Sequence, residues 1–163
     1  MIRIIDVTRE EIPRVVPLAA RFRSALKALK GIRSDPDEES GAEEMREFLD
    51  AGFPVFAAEK DGVLCGYIVC RVDKPCVWVE AIYVLPEYRR QGAASVLFEK
   101  AEEVASSFGE DTVYNYVHPN NEAMIAFLAS KGYTVLNLVE IRRPYRGEKL
   151  REKIQVARNS FDY

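Results

Sequence analysis

The chain has 163 residues, a formal net charge of −3 and 48% hydrophobic residues. This length corresponds to a single domain, 1–163, that buries about two-thirds of the surface its unfolded chain exposes. The negative charge argues against a nucleic acid partner. No apolar run approaches the roughly 20 residues that cross a bilayer, so we expect no membrane partner.

The cysteines and the single histidine indicate a reducing location and no metal site. Cys65, Cys70 and Cys76 form no C-x-x-C pair, and His118 has no ligand-spaced neighbours. The first ten residues alternate and carry charge, unlike a secretory leader. We therefore expect a cytoplasmic protein with reduced cysteines and no metal.

The N-terminal third predicts one strand and two helices. Alternating apolar residues indicate a strand over Ile2–Val7. A capping box that starts at Thr8 predicts a helix from about Arg9 to Lys30, which Pro17 should kink or interrupt. A second amphipathic helix is predicted over Asp37–Asp50.

The middle of the chain predicts an antiparallel meander. Strands are indicated at Val55–Lys60 and Val63–Val72, joined by the hairpin dipeptide Asp61-Gly62. A third strand, Val77–Val84, follows the turn at Lys74-Pro75.

The last part predicts a β-α-β unit and further elements. We expect a helix over Ala93–Phe108, a strand over Thr112–Val117, a short helix after Asn121 and a last strand or hairpin over Tyr133–Arg143. The fold class is therefore α/β of the α+β type. Its central sheet is mixed and mostly antiparallel, with one right-handed β-α-β unit and helices on both faces.

The segment Ile82–Ala94 carries the strongest functional signal. A buried-type strand ends at Val84, a basic turn with Arg89 and Arg90 follows, and Gly92 opens the next helix. The first N–H groups of a helix have no intrahelical partners, and the helix dipole is positive there. Glycine lets an anion approach the backbone closely. This pattern predicts a pyrophosphate site.

This segment resembles motif A of the GNAT family of N-acetyltransferases, whose signature is Arg/Gln-x-x-Gly-x-Gly/Ala. Arg89, Gly92 and Ala94 stand at the matching positions. The stretch Asn121–Tyr133 is similar to motif B of the same family, with Leu128 where many members carry a tyrosine. Together with the order of strands, the resemblance covers roughly the whole chain.

The resemblance implies the GNAT fold and acetyl-CoA as cosubstrate. The strands before motifs A and B should splay apart, with the pantetheine arm in the gap, and the Val84 N–H should polarise the thioester carbonyl. Asn121 should touch the pantetheine or the phosphate side, although it also fits a plain helix N-cap. The predicted cofactor-binding residues are Ile82, Tyr83, Val84, Arg89, Arg90, Gln91, Gly92, Ala93, Ala94 and Asn121.

Glu80 is the candidate catalytic base. It is a carboxylate in an otherwise apolar strand, four residues before Val84, and many members of the family that act on small molecules have a Glu there. Burial in such a strand would make the carboxylate a better base. The alternative is a salt-bridged or edge-facing glutamate.

We therefore predict an N-acetyltransferase that transfers acetyl from acetyl-CoA to a primary amine by direct attack. Leu128 cannot donate a proton, so Tyr116, Tyr133 or a water would act as the acid, or the thiolate would leave unaided. The alternative is a non-catalytic acyl-CoA-binding sensor or regulatory module. Leu128 favours this alternative, and Glu80 argues against it.

The acceptor side is defined least by the sequence. The resemblance implies that the first two helices shape the acceptor pocket. An acidic lip there would attract a cationic amine, either a small molecule or a protein, whereas the alternative is a solvated helix face. Fold analogy alone favours a homodimer. The residues of the lip are Asp35, Asp37, Glu38, Glu39, Glu43, Glu44, Glu47 and Asp50.

Overall fold

The computed structural model describes residues 1–163 and divides them into two compact units. The first unit is Met1–Phe127 and the second is Leu128–Tyr163. The first unit holds Glu80 and all the predicted cofactor-binding residues. That both units belong to one domain stays a prediction.

A five-stranded sheet forms the centre of the first unit, in the order β1-β2-β3-β4-β5. Its strands are β1 (Ile2–Asp6), β2 (Val55–Lys60), β3 (Val63–Asp73), β4 (Cys76–Val84) and β5 (Tyr114–Asn115). The first four pair antiparallel, and β4 pairs parallel with β5. This mostly antiparallel mixed sheet confirms the predicted fold class.

Four α-helices accompany the strands. They are α1 (Ile12–Leu29), α2 (Glu38–Asp50), α3 (Ala93–Ser107) and α4 (Glu122–Ser130). None of them combines the length and the apolar composition that a bilayer crossing requires.

Helix α1 differs from its prediction at two points. It begins at Ile12 rather than Arg9, because the residues before it form a turn in which Glu11 N donates to Thr8 O at 3.0 Å. The predicted interruption at Pro17 is wrong, since the helix continues through it. Proline removes one helical hydrogen bond, and burial of neighbours such as Val16 and Leu18 compensates for that loss.

The two faces of the sheet bury different helices. Tyr67 of β3 belongs to the core cluster that includes residues of α1 and α2. Its neighbour Gly66 points to the other face, where a Cβ would lie 3.2 Å from Leu97 Cδ1 of α3. Successive strand residues point to opposite faces, so helices cover both sides of β3.

Strand β5 is shorter than the predicted Thr112–Val117. Only Trp78↔Tyr114 and Val79↔Asn115 pair across β4 and β5. Directly after this pairing, β4 carries a bulge at Glu80, since Val79 opposes Cys70 and Ala81 opposes Val69. A bulge bends and twists its strand, and here the pairing with β5 ends at that bend.

In the second unit, the predicted strand over Tyr133–Arg143 is wrong. That segment has no ladder partner, and its apolar side chains are exposed, with Val135 at 87%. A hairpin of β6 (Lys153–Val156) and β7 (Asn159–Asp162) forms further along the chain. The sequence signal for this hairpin is the alternation of Ile154 and Val156, which lie in a segment rich in Arg and Lys.

A bidentate ion pair orders the turn before this hairpin. Arg142 donates to both carboxylate oxygens of Glu148, at 2.9 and 2.7 Å, and Tyr145 N adds a third hydrogen bond to that carboxylate at 2.9 Å. These bonds favour the charged carboxylate and lower the pKa of Glu148 to about 2.

Candidate functional site

A basic corner lies between β4 and the start of α3. Arg90 has φ +59° and Gly92 has φ +91°, so two left-handed residues flank Gln91. Gly92 is the N-cap of α3 and supplies no side-chain cap. The first N–H groups of α3, from Ala93 onward, are therefore available to a ligand. Such a turn in front of a helix N-terminus is a concavity suited to an anion.

The side chains of this corner are ordered by neighbouring backbone and side-chain groups. Arg89 Nε donates to Val84 O at 3.0 Å, and its guanidinium lies 5.8 Å from the centre of the Tyr83 ring. Gln91 Nε2 donates to Glu87 O at 2.9 Å. Arg89, Arg90, Gln91 and Gly92 are all exposed, so a ligand can reach them.

The last residues of β4 leave one edge of the strand without a partner. Leu85 N donates to Cys65 O at 2.9 Å, which makes this the hydrogen-bonded kind of antiparallel pair. Hydrogen-bonded and non-hydrogen-bonded pairs alternate along an antiparallel ladder. The backbone of Tyr83 therefore bonds with β3, whereas Ile82 and Val84 direct their N–H and C=O groups away from β3. The pairing of β4 with β5 ends at Val79, so no strand pairs with these groups, and Arg89 Nε donates to Val84 O on this side.

Asn121 caps helix α4. Its Oδ1 accepts from Met124 N at 3.2 Å, and its carbonyl accepts from Ile125 N at 3.0 Å. This is the N-cap alternative considered for Asn121. The predicted contact with a cosubstrate stays a prediction.

Glu80 lies at the bulge in β4. Its side chain is 32% exposed, and Arg71 Nε of β3 approaches its carboxylate at 3.5 Å. The burial that we expected for Glu80 is therefore wrong, because the bulge turns it out of the packed strand. A solvated carboxylate beside the open edge still has access to a proton on a ligand or a water.

An aromatic group lies beside Glu80. The Trp78 ring centre is 4.8 Å from that of Tyr116 and 4.7 Å from that of Tyr114. The Arg71 guanidinium lies 5.2 Å from the Trp78 ring centre, while also pairing with Glu80. Tyr116 is 60% exposed, so the group forms a wall open to solvent rather than core packing. This exposure leaves the Tyr116 side chain accessible, and its role as the acid stays a prediction.

Arg23 of α1, Glu44 of α2 and Tyr67 of β3 lie on the same side of the sheet, and the sequence did not single them out as a group. Arg23 Nη1 donates to Glu44 Oε1 at 2.9 Å, and Tyr67 of β3 is buried below the same helices. Glu44 is the one partly buried residue of the acidic lip, and the other seven are exposed. Its position one residue before the buried Met45 was the available sequence signal.

The cysteines do not form part of this site. Cys65 and Cys70 are buried and unpaired, and Cys76 is partly buried and unpaired. Burial raises the pKa of the Cys70 thiol to about 12, so this thiol is inert at neutral pH. The described residues contain no group of three or more His, Cys, Asp or Glu side chains placed to hold a metal ion.

Solved structures with this architecture define the class of fold. AAC(6')-Iy in complex with the bisubstrate analog CoA-S-monomethyl-acetylneamine matches with a TM-score of 0.67 and 21% identity, over 89% of this chain and 99% of that chain. A ribosomal-protein-alanine N-acetyltransferase from Brucella melitensis matches with a TM-score of 0.69 and 18% identity, over 89% and 99%. The fold is that of the acyl-CoA N-acyltransferases.

The sequence comparisons then establish the family. The sequence model of the Acetyltransferase (GNAT) family matches residues 22–133, which is more than half of the chain. An uncharacterized N-acetyltransferase of Mycobacterium tuberculosis is 29% identical over 106 residues, or 64% of this chain and 68% of that protein. The chain belongs to the GNAT family of acetyltransferases, as its two motifs predicted.

Proposed function

We propose that this GNAT protein transfers the acetyl group of acetyl-CoA to a primary amine. One observation carries the proposal: the open edge of β4, at Ile82 and Val84, runs directly into the basic corner around Arg89. A pantetheine arm that hydrogen-bonds to the edge would bring its pyrophosphate to the first N–H groups of α3. AAC(6')-Iy, which shares the fold, was solved with a bisubstrate analog that contains CoA.

The reaction then needs an oriented thioester and a neutral amine. The Val84 N–H, on the open edge, polarises the thioester carbonyl and stabilises the oxyanion. An unperturbed ammonium has a pKa of about 10.4, so Glu80 accepts its proton, directly or through water. The amine nitrogen bonds to the carbonyl carbon, the C–S bond breaks, and CoA leaves as a thiolate. The second proton of the nitrogen passes to this thiolate or to water, which leaves a neutral amide.

Direct attack is preferred over a route through an acetylated cysteine. Such a route needs a reactive thiolate beside the thioester. Burial raises the pKa of both Cys65 and Cys70, which disfavours a thiolate at either position. The amine therefore attacks the thioester itself.

Leu128 favours a second candidate, a non-catalytic acyl-CoA sensor. It is 7% exposed and has no proton to donate to the leaving sulfur. A thiolate of pKa about 8.5 leaves with little help, however, so catalysis does not require a tyrosine there. Release of CoA in the presence of an amine panel decides between the two, because a sensor would bind acetyl-CoA and release none.

The first experiment is a calorimetric titration of the protein with acetyl-CoA. We expect micromolar binding by the wild type and its loss in an Arg89→Ala, Gly92→Asp double variant, because the variant removes one cation and adds an anion at the corner. Arg21→Ala removes an exposed arginine from α1 and serves as the matched control for charge. Circular dichroism checks that each variant is folded. Absence of wild-type binding would refute the proposal.

The acceptor in this proposal is a cationic amine. AAC(6')-Iy was solved with an acetylneamine analog, and the Brucella structure is of a ribosomal-protein-alanine N-acetyltransferase, so this fold serves both small and protein acceptors. The half-buried carboxylate of Glu44 and the carboxylate of Glu80 favour a positively charged acceptor here. A panel of amines, amino acids and peptides with acetyl-CoA, read by thiol release, tests this choice.

We also propose a homodimer and a cytoplasmic location. The second unit exposes apolar side chains between Val135 and Ile141, and exposed apolar groups of this kind mark interaction surfaces. Light scattering on the eluting protein should give twice the 18.5 kDa of one chain, and a monomer at micromolar concentration would contradict it. The three unpaired cysteines favour a reducing compartment, which cell fractionation tests.

A further inference from the structure

Two buried polar atoms on the side of the sheet that α1 and α2 cover have no hydrogen-bond partner. They are Glu44 Oε2 and the Tyr67 hydroxyl. Buried polar atoms in native proteins almost always have partners, because an unpaired one loses its hydration without compensation. Tyr67 is fully buried, at 0% exposure, so its hydroxyl has no access to bulk water. Such atoms call for a functional explanation, and a hydrogen-bond donor supplied by a ligand is one.

Helix packing fixes the position of Glu44. At Gly41, helices α1 and α2 approach so closely that a Cβ would lie 3.2 Å from Ala20 N. Nearly one turn further along each helix, Arg23 donates to Glu44 Oε1 at 2.9 Å. This bond orients the carboxylate and leaves Oε2 as the acceptor without a donor.

Ring packing fixes the position of Tyr67. Phe22 of α1 meets the Tyr67 ring edge-on, with centres 6.2 Å apart, and lies 6.1 Å from the Tyr83 ring. Tyr67 and Tyr83 are opposed in β3 and β4, and Phe22 is adjacent to Arg23 in α1. Two adjacent residues of α1 therefore contact Tyr67 and Glu44.

The charges around these atoms form one electrostatic group. Burial, followed by the Glu44 carboxylate, raises the pKa of Tyr67 well above its ordinary value, so the hydroxyl keeps its proton. Burial also raises the pKa of Glu44, with Arg23 opposing the shift and Glu47 and Glu80 adding to it. A further cation would relieve the repulsion between these carboxylates.

We propose that Glu44 Oε2 and the Tyr67 hydroxyl bind a second ammonium group of the acceptor, so that the enzyme selects diamines over monoamines. This inference rests on the proposed function and assigns the acceptor class of that same site. One amino group reacts beside Glu80, and the other donates to Glu44 and Tyr67. An ammonium has three N–H donors and no acceptor, which matches two orphan oxygen atoms.

Arg23 controls access to this pair of atoms. Both are shielded from solvent, whereas the Arg23 side chain is 41% exposed and long. Outward rotation of Arg23 opens the way, and its guanidinium keeps Glu44 oriented when it returns. Arg23 is therefore a positioning residue, and Glu44 and Tyr67 are the specificity-determining residues.

The test uses linear diamines from 1,3-diaminopropane to 1,6-diaminohexane. Each is compared with the monoamine that has the same number of heavy atoms, for instance 1,4-diaminobutane with n-pentylamine. Calorimetric titration into the full chain saturated with CoA measures binding without turnover. The best diamine should bind about tenfold or more tightly than its monoamine, since hydrogen bonds to charged groups contribute strongly.

Glu44→Gln and Tyr67→Phe should each remove this preference. Gln retains an oxygen for Arg23, and Phe retains the ring, so both variants preserve packing. Tyr67→Phe also removes a buried hydroxyl that lacked a partner, so the melting temperature of that variant should stay the same or rise. In turnover, the KM for the diamine should rise about tenfold with kcat nearly unchanged, which loss of uniform binding predicts. Glu99→Gln changes an exposed carboxylate of α3, on the other face of the sheet, and should keep the wild-type preference.

Equal binding of diamines and monoamines by the wild type would overturn the inference, as would a preference that persists in Glu44→Gln. Failure of the proposed function is recognised separately, by the absence of acetyl-CoA binding or of any amine acetylation. An enzyme that binds acetyl-CoA and acetylates all amines without preference would retain the proposed function and refute only the diamine site.

Discussion

At the scale of single residues, the proposed reaction gives Glu80 the most direct chemical role. The bulge in β4 places its carboxylate outside the packed strand, beside the last pairing of β4 with β5. A bulge next to an active site commonly re-aims one side chain without moving the rest of the strand. Arg71 Nε approaches this carboxylate at 3.5 Å, and the Glu80 side chain stays 32% exposed.

Replacing Glu80 by glutamine should lower kcat by about 100-fold or more, the usual contribution of a general base. The amine must then lose its proton to solvent. The rate of the variant should therefore keep rising toward the pKa of the amine, about 10.4, whereas the wild-type rate levels off earlier. Steady-state rates from pH 6 to pH 10 measure this.

Asp73→Asn is the matched control for the Glu80 substitution. Asp73 is an exposed carboxylate at the end of β3, so its replacement should change neither kcat nor the pH profile. A Glu80→Gln enzyme with the wild-type rate and profile would assign the base to another group.

Gly92 determines the backbone conformation of the basic corner. Its φ is +91°, and a Cβ there would meet only Ile2 Cδ1, at 4.0 Å. Gly92→Ala should therefore destabilise the protein through backbone strain alone, by about 1 kcal/mol. Gly109 has φ +80° and open space around it, so Gly109→Ala should be similarly destabilising.

The two alanine variants should differ in ligand binding. Gly92→Ala places a methyl group and backbone strain at the start of α3, so acetyl-CoA should bind more weakly. Gly109 lies beyond the other end of α3, so its variant should bind normally. Calorimetry with chemical denaturation separates the two effects, and equal affinities would show that the corner needs no glycine.

The sequence predicted residues whose role depends on local order along the chain. Arg89, Gly92 and Glu80 could be proposed because the strand, turn and helix around them are adjacent in sequence, and their roles stay predictions. Glu44 and Tyr67 were not, because they meet only when α2 packs on α1 above β3. The partial exposure of Glu80 was also unpredictable, since a bulge does not change the composition of a strand.

At the scale of secondary structure elements, Gly66 sets the distance between β3 and β4. A Cβ there would lie 2.7 Å from Tyr83 O and 3.0 Å from Val84 Cγ2. Gly66→Ala should destabilise the protein by about 1–3 kcal/mol, because the strand or its neighbours must shift. It should also weaken acetyl-CoA binding, since the shift occurs at Val84. Urea unfolding and calorimetry measure the two effects.

Val63→Ala provides the comparison for the same strand. Val63 is 45% exposed, so its truncation removes little buried surface. The variant should unfold near the wild-type midpoint and bind acetyl-CoA normally. A Gly66→Ala protein as stable as this control would mean that the strands adapt to the methyl group without moving apart.

Elements with a local signal were predicted, and elements that need a distant partner were not. The Asp61-Gly62 hairpin and the amphipathic helices α2 and α3 have characteristic residues within their own length. The strand predicted over Tyr133–Arg143 has the alternation of a strand but finds no ladder partner. β5 is short for a related reason: its length depends on where β4 bends.

At the scale of the whole molecule, one carboxylate links three elements that are distant in sequence. Glu59 of β2 accepts from Arg3 of β1 at 2.6 Å and from Arg14 of α1 at 2.7 Å. Arg14 also pairs with Glu11 at 2.8 Å. Hydrogen bonds from Arg14 and then from Arg3 lower the pKa of Glu59 below its ordinary value of 4.5.

This shift predicts how stability changes with acid. A carboxyl whose pKa is lower in the folded state stabilises the fold above its unfolded pKa, and that contribution is lost as the pH falls through the folded pKa. Wild-type stability should therefore decrease below about pH 4.5, and the decrease should be shallower in Glu59→Gln. Urea unfolding between pH 3 and pH 7 measures both.

Glu10→Gln changes an exposed carboxyl just before α1, and this control should reproduce the wild-type pH dependence. A Glu59→Gln profile that runs parallel to the wild type over the whole range would show that the network does not survive in solution. At neutral pH the variant should be less stable than the wild type, because two arginines lose a charged partner.

The open edge of β4 also bears on solubility in the absence of cosubstrate. An unpaired strand edge is a template for aggregation, and native proteins protect such edges. Here the exposed stretch is short, the bulge at Glu80 twists it, and Arg89 Nε donates a hydrogen bond to Val84 O. Arg89 would thus act as a gatekeeper until acetyl-CoA fills the edge. Cells depleted of CoA should accordingly accumulate the protein in inclusion bodies when Arg89 is replaced.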